Sequence, residues 1–350
     1  MTRPTVIDIA REAGVSLATV DRVLNARPGV RAKTITAVNE AVARLGYVRD
    51  IAAANLARGR SYRMAVLLPD SDSQFTETLA SALRDAATLA AASRTEMLLL
   101  RYPAEDLHAL AAHLAALQAD DIAGVALMAP ETPVVRDAIR RLRSEGIPVV
   151  ALGSDLPNTA RDHFVGIDSH AAGRTAGTLM GKFCRGLSGQ IVVVADSMQL
   201  RDSIERRRGF DEVMLERFPS LKVLPTIETH GRAEALHEAL AARLDTAGGV
   251  VGIYLLGSGH RALAALLRAR GELGRHVVIG HELTPHTRAA LLAGHLDAVI
   301  AQNPGHLARS ALRVLRAKAE RQPIDEGQER LRIEVVIREN LPPESYTATF

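Results

Sequence analysis

The residues best suited to hold a small ligand lie just beyond short apolar segments that we predict to be β-strands. Glu282 comes after the segment 276–280, and Gln302 comes after the segment 297–301. Ligands of parallel sheets bind beyond the carboxyl ends of the strands, so these positions are candidates for a binding site. The other candidates of this kind are Phe75, Asp155, Asp168, Ser258 and His260.

Carboxylates, amides and guanidinium groups hold sugar hydroxyls through paired hydrogen bonds, so a sugar or polyol is the ligand that these residue types indicate. The ring of Phe75, placed after the segment 63–68, can stack on a sugar face. For each polar residue taken alone, helix capping or a surface role is an equal alternative.

Residues 5–24 indicate a different chemistry, that of a DNA-binding helix-turn-helix. Two short amphipathic helices are predicted here, separated at Gly14. Thr5 and Asp8 are spaced as a capping box, and Ser16 can cap the second helix. A third helix, predicted at about 32–45, completes a small core. In such a unit the second helix binds in the major groove of DNA.

The start of this second helix carries the side chains expected to meet the base edges. Arg22 can form a bidentate pair with guanine, whereas Leu17 and Ala18 offer only apolar contact, for instance to a thymine methyl. For Arg22, a phosphate clamp or a solvated side chain is the alternative. Phosphate contacts position a protein without reading sequence. They are expected from Thr5, Ser16, Thr19 and Asn25.

Four strings carry a resemblance to the lactose-repressor/galactose-repressor (LacI/GalR) family. They are Asp8-Ile-Ala-Arg-Glu-Ala-Gly-Val-Ser16, Ala18-Thr-Val-Asp-Arg-Val-Leu-Asn25, Leu45-Gly-Tyr47 and Asp50-Ile-Ala-Ala-Ala-Asn-Leu-Ala57. The rest of the chain resembles the effector domain of that family, which is similar to ribose-type periplasmic binding proteins. The resemblance implies a homodimer whose two headpieces bind the half-sites of a pseudo-palindromic operator in double-stranded DNA.

The resemblance also implies a hinge helix over residues 50–58. Leu56 would act there as an apolar wedge in the minor groove, flanked by Asn55 and Ala57. A helix this short is not stable alone in water, so it would form on DNA and could serve as a switch. A plain linker with a buried Leu56 is the alternative.

Several positions gain meaning only from the resemblance. Arg206 lies where the family has a ligand-binding arginine, whereas Ser258-Gly259 and Glu282 replace the usual Asn-Asp and Asp. Asp21 replaces the usual Ser. Because phosphates repel a carboxylate, Asp21 either orients Arg22 or accepts a hydrogen bond from a cytosine amino group.

Charge and composition separate the two ends of the chain. Residues 1–63 hold 11 Lys and Arg against 5 Asp and Glu, and the remainder holds 32 against 35. A basic head on a mildly acidic body fits a polyanionic partner for the head alone.

Cys184 is the single cysteine, which indicates a reducing compartment. We expect a cytoplasmic protein with no signal peptide and no membrane span.

From residue 63 onward, apolar strands alternate with Ala- and Leu-rich helices, which predicts an α/β fold with parallel sheets. The predicted strands are 63–68, 95–100, 122–128, 147–152, 163–167, 190–195, 221–227, 250–256, 276–280, 297–301 and 331–337. They are too many for one comfortable sheet, so we expect two subdomains with a cleft between them. The resemblance places three chain crossings near residues 157, 302 and 326.

The expected organisation is an all-α helix-turn-helix headpiece followed by a two-subdomain effector domain similar to periplasmic binding proteins. The expected parts are a headpiece at 1–49, a hinge and linker at 50–62, an effector domain at 63–340 and a tail at 341–350. The N-subdomain would comprise about 63–157 and 303–326, and the C-subdomain about 158–302 and 327–340.

The sequence carries none of the common enzyme motifs. The Gly257-x-Gly259 pair is too short for a dinucleotide fingerprint, and neither a phosphate-binding loop nor a nucleophile elbow is present. We therefore expect a repressor that is not an enzyme, with no cofactor and no metal, whose operator affinity is controlled by a sugar or polyol. A transport-type sugar-binding protein is the first alternative, and an architectural DNA binder without an effector is the second.

Overall fold

The computed structural model describes residues 4–24, 28–47, 61–71, 73–245 and 249–343. The chain divides into two compact units, residues 1–60 and residues 61–350. The division falls close to residue 63, where the texture of the sequence changes. The expected hinge helix, with Asn55, Leu56 and Ala57, lies outside the described residues, and so does Asn25.

The first unit contains the expected helix-turn-helix and its supporting helix. Its described helices are α1 (Val6–Ala13), α2 (Leu17–Leu24) and α3 (Ala32–Leu45). The capping box is confirmed, because the backbone N–H of Thr5 donates to Asp8 Oδ2 at 2.8 Å and the Thr5 side chain accepts from the Asp8 N–H. Gly14 ends α1 with a φ of 64°, a left-handed conformation that suits glycine. The small core consists of Ile9, Ala10, Val20, Val38 and Ala41.

Within the described residues, the second unit begins with a sheet of five parallel strands in the order β2-β1-β3-β4-β5. They are β1 (Tyr62–Asp70), β2 (Thr95–Pro103), β3 (Gly124–Leu127), β4 (Val149–Leu152) and β5 (His163–Val165). Side chains of β1 alternate between two cores: Met64 and Val66 face one, and Ala65 and Leu67 face the other. The covering helices are α4 (Gln74–Ala91), α5 (Leu107–Ala116), α6 (Pro133–Ser144) and α12 (Pro304–Ala319).

The second sheet has seven strands in the described part of the chain, in the order β12-β11-β10-β9-β6-β7, with β8 also paired to β6. They are β6 (Gly189–Ala195), β7 (Leu221–Val223), β8 (Ile227–Glu228), β9 (Val250–Leu255), β10 (Val277–His281), β11 (Ala298–Ala301) and β12 (Glu334–Val336). The accompanying helices are α7 (Ser169–Phe183), α8 (Arg201–Arg217), α9 (Ala233–Leu244), α10 (His260–Ala269) and α11 (Pro285–Leu292). The short α13 (Glu326–Glu329) lies beside α12, where Arg313 donates to Glu329. Only β12 among these described strands runs antiparallel to its neighbour.

The first crossing between the sheets differs from the expectation near residue 157. Strand β5 pairs with β4, so the chain remains in the first sheet until Val165 and residues 158–165 belong to the first subdomain. Asp162 holds this return segment, because its carboxylate accepts from the Val149 N–H at 2.8 Å. The single strand expected at 221–227 is likewise two strands, β7 and β8, both paired to β6.

Helices α7 and α8 pack unusually close beside the second sheet. A Cβ atom on Gly173 would lie 2.0 Å from the carbonyl oxygen of Arg206, and one on Gly209 would lie 2.1 Å from that of His170. Only glycine permits this approach, in which one helix backbone rests on the other. The contact sets the depth at which α8 lies and therefore the position of Arg206.

Candidate functional site

Helix α8 places Arg206 inside a buried polar cluster at the carboxyl ends of strands β9, β10 and β11. The residue is only 3% exposed. Its Nη1 donates to the carbonyl oxygen of Leu256 at 2.7 Å, and its Nη2 donates to Glu282 Oε1 at 3.2 Å. Asp202 lies one turn earlier on α8, with its Oδ2 3.6 Å from Arg206 Nη1. The guanidinium is thus held by a carbonyl and two carboxylates.

Glu282 occupies a constrained position directly after β10. Its φ is 67°, in the left-handed region that a residue with a Cβ rarely adopts. Two contacts hold it there: its N–H donates to the Ile300 carbonyl at 3.0 Å, and its own carbonyl accepts from Thr287 Oγ1 at 2.8 Å. Strained backbone of this kind is concentrated at functional sites.

Gln302, directly after β11, completes the cluster. It is 3% exposed, and its Nε2 donates to Glu282 Oε1 at 3.1 Å. Among the described residues, no hydrogen-bond partner exists for four polar atoms of this group. They are Asp202 Oδ1, Arg206 Nε, Glu282 Oε2 and Gln302 Oε1. Buried polar atoms are almost always hydrogen-bonded, so four orphans in one cluster indicate a place for a polar ligand.

Charge in the cluster is shared between one guanidinium and two carboxylates. Burial raises the pKa of the Glu282 carboxyl, and this effect outweighs the nearby charge of Arg206 and the hydrogen bond from Gln302. Burial alone would lower the pKa of Arg206, but the carboxylates of Asp202 and Glu282 more than offset it, so the net change is upward. Arg206 therefore remains a cation.

Two histidines and a tyrosine support the cluster from the sheet. Tyr254 and His281 share a hydrogen bond of 2.7 Å through the His281 Nε2, and Tyr254 stacks on Phe210 with ring centroids 4.4 Å apart. His260 Nε2 lies 3.2 Å from the carbonyl oxygen of His281. Burial lowers the pKa of His260 to about 4 and that of His281 well below its usual value, so both rings are neutral near pH 7.

Ser258 is tied to a residue that the sequence analysis missed. Its Oγ donates to Asp196 Oδ1 at 2.6 Å, and its N–H donates to Asp196 Oδ2 at 3.1 Å. Asp196 directly follows β6, so the rule that identified Glu282 and Gln302 could have found it. Asp202 was also missed, and its spacing of four residues from Arg206 on a helix was the available signal.

The remaining candidates have other surroundings. Asp155 forms a two-point ion pair with Arg161, with an Nη2 to Oδ2 distance of 2.7 Å. Asp168 caps α7 by accepting from the Ala171 N–H at 2.8 Å. Phe75 is half-buried against the core of the first sheet. The structure thus brings together Arg206, Glu282 and Gln302, places His260 against the carbonyl of the neighbouring His281, and leaves Asp155 and Asp168 in local contacts.

Two hydrogen bonds link the carboxyl ends of the two sheets. The Asp202 N–H donates to Ser154 Oγ, and the His286 N–H donates to Gln74 Oε1, each at 3.4 Å. Ser154 follows β4, whereas Asp202 belongs to the polar cluster. The cluster therefore lies where the two sheets meet and not on an outer face of the second sheet.

The first unit presents α2 as a surface. Leu17 is 50% exposed, and Ala18 and Arg22 are exposed as well. Ser16 Oγ accepts from the Thr19 N–H at 3.2 Å and lies 2.9 Å from Thr19 Oγ1, so it caps the helix as expected. Asp21 is half-buried beside Arg22. The residues expected to read bases thus lie on the accessible side of a packed helix.

Family comparisons assign each unit of the chain separately. Residues 5–50 match the family described as bacterial regulatory proteins, lacI family. Residues 64–323 match the family described as periplasmic binding protein domain. The first match lies within the first unit, and the second covers most of the second unit.

A curated relative and two solved structures are similar to the chain. Catabolite control protein A of Staphylococcus aureus is 41% identical over 85 residues, which are 24% of this chain and 26% of the relative. The match thus spans about a quarter of the relative's length. GanP, a glucose-galactose binding protein from Geobacillus stearothermophilus, is 19% identical with a TM-score of 0.71, over 81% of this chain and 100% of that chain.

An ABC transporter solute binding protein from Burkholderia graminis in complex with D-arabinose has the same TM-score of 0.71 at 20% identity, over 80% of this chain and 96% of that chain. At these identities the likeness shows the fold alone. It confirms the expected two-subdomain α/β architecture. None of the helices in the described ranges is long and apolar enough to cross a membrane.

Proposed function

The chain belongs to the family of periplasmic binding protein domains and carries a DNA-binding domain of the lacI family of bacterial regulatory proteins, and we propose that it is a repressor controlled by a sugar or polyol. A DNA-binding unit joined to a ligand-binding unit supports regulation of transcription better than transport, the first alternative. The regulator acts in the cytoplasm, where its operator is, and has no catalytic activity.

The observation that carries this proposal is the set of orphan polar atoms around Arg206. A buried polar atom without a partner costs about 1–3 kcal/mol, so four of them would weaken the fold unless something pairs with them. A compound with several hydroxyl groups supplies such partners at the required spacing. The fold is that of proteins solved with D-arabinose, which supports a sugar as the occupant.

A ligand in this cleft would couple to DNA through the angle between the subdomains. It would bond to the cluster on one side and lie beside Gln74 and Ser154 on the other, where the two sheets already meet. Binding would therefore favour one relative orientation of the sheets. Coupling free energies of this kind are about 1–3 kcal/mol, or roughly 5- to 150-fold in operator affinity.

On the DNA side, α2 would enter the major groove with Leu17, Ala18 and Arg22 towards the bases. A homodimer would place two such helices on the half-sites of a pseudo-palindrome. Thr5, Ser16 and Thr19 would contact phosphates, and the segment with Leu56 would enter the minor groove between the half-sites.

Selection of bound duplexes from a random library with the purified full chain tests the proposal. We expect enrichment of a pseudo-palindrome, and a change in affinity for it when D-arabinose, D-galactose or a related sugar is added. Fluorescence anisotropy measures both. Sugar binding without any sequence preference in DNA would instead favour the transport-type alternative.

Arg22→Ala tests the assignment of the recognition helix. Loss of a bidentate pair to guanine costs about 1–3 kcal/mol and should relax specificity at one base pair in each half-site. Arg11→Ala is the matched control, because Arg11 carries the same charge on α1 and its side chain is 76% exposed. If Arg22→Ala lowered the affinity for all DNA sequences equally, Arg22 would contact a phosphate instead of a base.

A further inference from the structure

The four orphan atoms of the cluster differ in whether they accept or donate a hydrogen bond. Asp202 Oδ1, Glu282 Oε2 and Gln302 Oε1 are acceptors in the ionised and amide forms, whereas Arg206 Nε is a donor. Among the atoms of Asp202, Arg206, Glu282 and Gln302 that have no partner in the described part of the chain, three acceptors thus stand against one donor. A ligand that satisfies them must bring more O–H or N–H groups than bare oxygen atoms.

Arg206 is poorly placed to hold an anion. Phosphates and carboxylates are gripped by two N–H groups of a guanidinium at once. Here Nη1 already donates to the Leu256 carbonyl at 2.7 Å, and Nη2 donates to Glu282 at 3.2 Å. Within the described residues, only Nε makes no hydrogen bond at all. Each Nη keeps a second N–H, but an anion that used it would lie beside Glu282 or Asp202, whose carboxyl groups already flank these atoms.

The charges around the cluster also disfavour an anionic ligand. Two acidic side chains, Asp202 and Glu282, face one guanidinium, so an anion placed among them would lie close to carboxyl oxygens where burial leaves charge weakly screened. At the end of the first sheet, Arg101 is occupied as well: it donates to the Pro69 carbonyl at 3.0 Å and pairs with Glu77. An incoming anion would therefore meet repulsion from these oxygens, and both arginines already pair with acidic side chains.

We infer that the ligand is an uncharged compound with several hydroxyl donors, and that the site rejects the phosphorylated and carboxylated forms of the same sugar. This inference rests on the proposed function and narrows its ligand class. A free sugar or polyol would place neighbouring hydroxyls against Glu282, Gln302 and Asp202 and accept one hydrogen bond from Arg206 Nε. A phosphate or carboxylate in the same place would add acceptors where donors are required.

Calorimetry on the full chain with matched sets of compounds tests this. Each set holds a neutral sugar, its phosphate ester and its aldonic acid, beginning with D-arabinose, D-galactose and D-glucose. We expect one neutral member to bind and its two anionic derivatives to bind at least about tenfold more weakly, the scale of one unfavourable charge contact. Tighter binding of a derivative than of its parent would overturn the inference and leave the proposed control by sugars intact. Failure of every compound, neutral and charged, would count against both.

Asp202→Asn separates charge from shape. The variant keeps the size of the side chain and removes one negative charge, so the preference for the neutral sugar over its acid should shrink by about tenfold. Asp137→Asn removes the same charge from an exposed position on α6 and should leave the preference unchanged. An unchanged preference in Asp202→Asn, with wild-type thermal stability, would show that the carboxylate does not exclude anions.

Discussion

The carboxyl ends of the two sheets meet, but their polar groups differ in how completely they are hydrogen-bonded. At the first sheet, the hydrogen bonds close within the chain: Tyr102 donates to the Met128 carbonyl at 2.7 Å, and Asp155 pairs with Arg161. At the second sheet, the bonds around Arg206 close only in part and leave four buried atoms open. One end is therefore built for stability, while the other retains unsatisfied groups that a ligand can pair with.

The largest expected contrast comes from removing an arginine at each end. Arg206→Ala would leave Asp202 and Glu282 as buried, uncompensated carboxylates, which costs about 3–5 kcal/mol of folding stability and abolishes ligand binding. Arg161→Ala, in a partly exposed pair, should cost only about 1 kcal/mol and spare ligand binding. Urea unfolding and calorimetry of both variants measure the difference, and similar losses at both ends would remove the contrast.

Acid should lower the folding stability of the protein, because the imidazoles of His260 and His281 beside the polar cluster are buried. His260 has a pKa of about 4 in the folded chain against 6.5 for an exposed histidine, so the unfolded chain takes up a proton first as the pH falls. Stability should therefore decline between pH 6.5 and about 4, by up to about 1.4 kcal/mol per pH unit. His281 acts in the same direction.

His260→Gln should flatten this part of the stability curve, measured by urea unfolding at a series of pH values. His108→Gln, on the exposed side of α5, is the matched control. A slope in His260→Gln equal to that of the wild type would mean that the ring does not resist protonation.

A smaller effect is expected from the contact that sets the depth of α8. Gly173→Ala places a Cβ 2.0 Å from the Arg206 carbonyl, so the helices must separate at a cost of about 1–3 kcal/mol. Because Arg206 moves with α8, ligand affinity should fall as well. Arg174→Ala is the control. Arg174 is the next residue of α7 and its side chain is 41% exposed, so its loss should leave ligand affinity near the wild-type value. Equal affinities in both variants would break the link between helix packing and the site.

The smallest effect is expected at Asp168. Its carboxylate caps α7, and loss of such a cap costs about 0.5–2 kcal/mol. Thermal unfolding of Asp168→Ala should show this loss, while calorimetry with the bound sugar should show unchanged affinity. A drop of more than about tenfold in affinity would place Asp168 in the site and weaken the contrast between the two ends.

Local patterns in the sequence determined the elements and much of the site. The capping box at Thr5, the break at Gly14 and the alternation of strands and helices are short-range features, and each predicted strand appears in the sheets. The strand-end rule also selected Glu282 and Gln302, because the carboxyl edge of a parallel sheet collects such residues wherever the strands lie.

Tertiary structure decided what those patterns could not. Arg206 and Glu282 are 76 positions apart, and only the pairing of β9, β10 and β11 beside α8 brings them within 3.2 Å. The assignment of β5 to the first sheet and the recruitment of Asp196 and Asp202 depend on the same long-range contacts. Burial then allows the cluster to bind a ligand. At the surface, water would form hydrogen bonds with these polar atoms, whereas buried atoms need a partner from the protein or from a ligand.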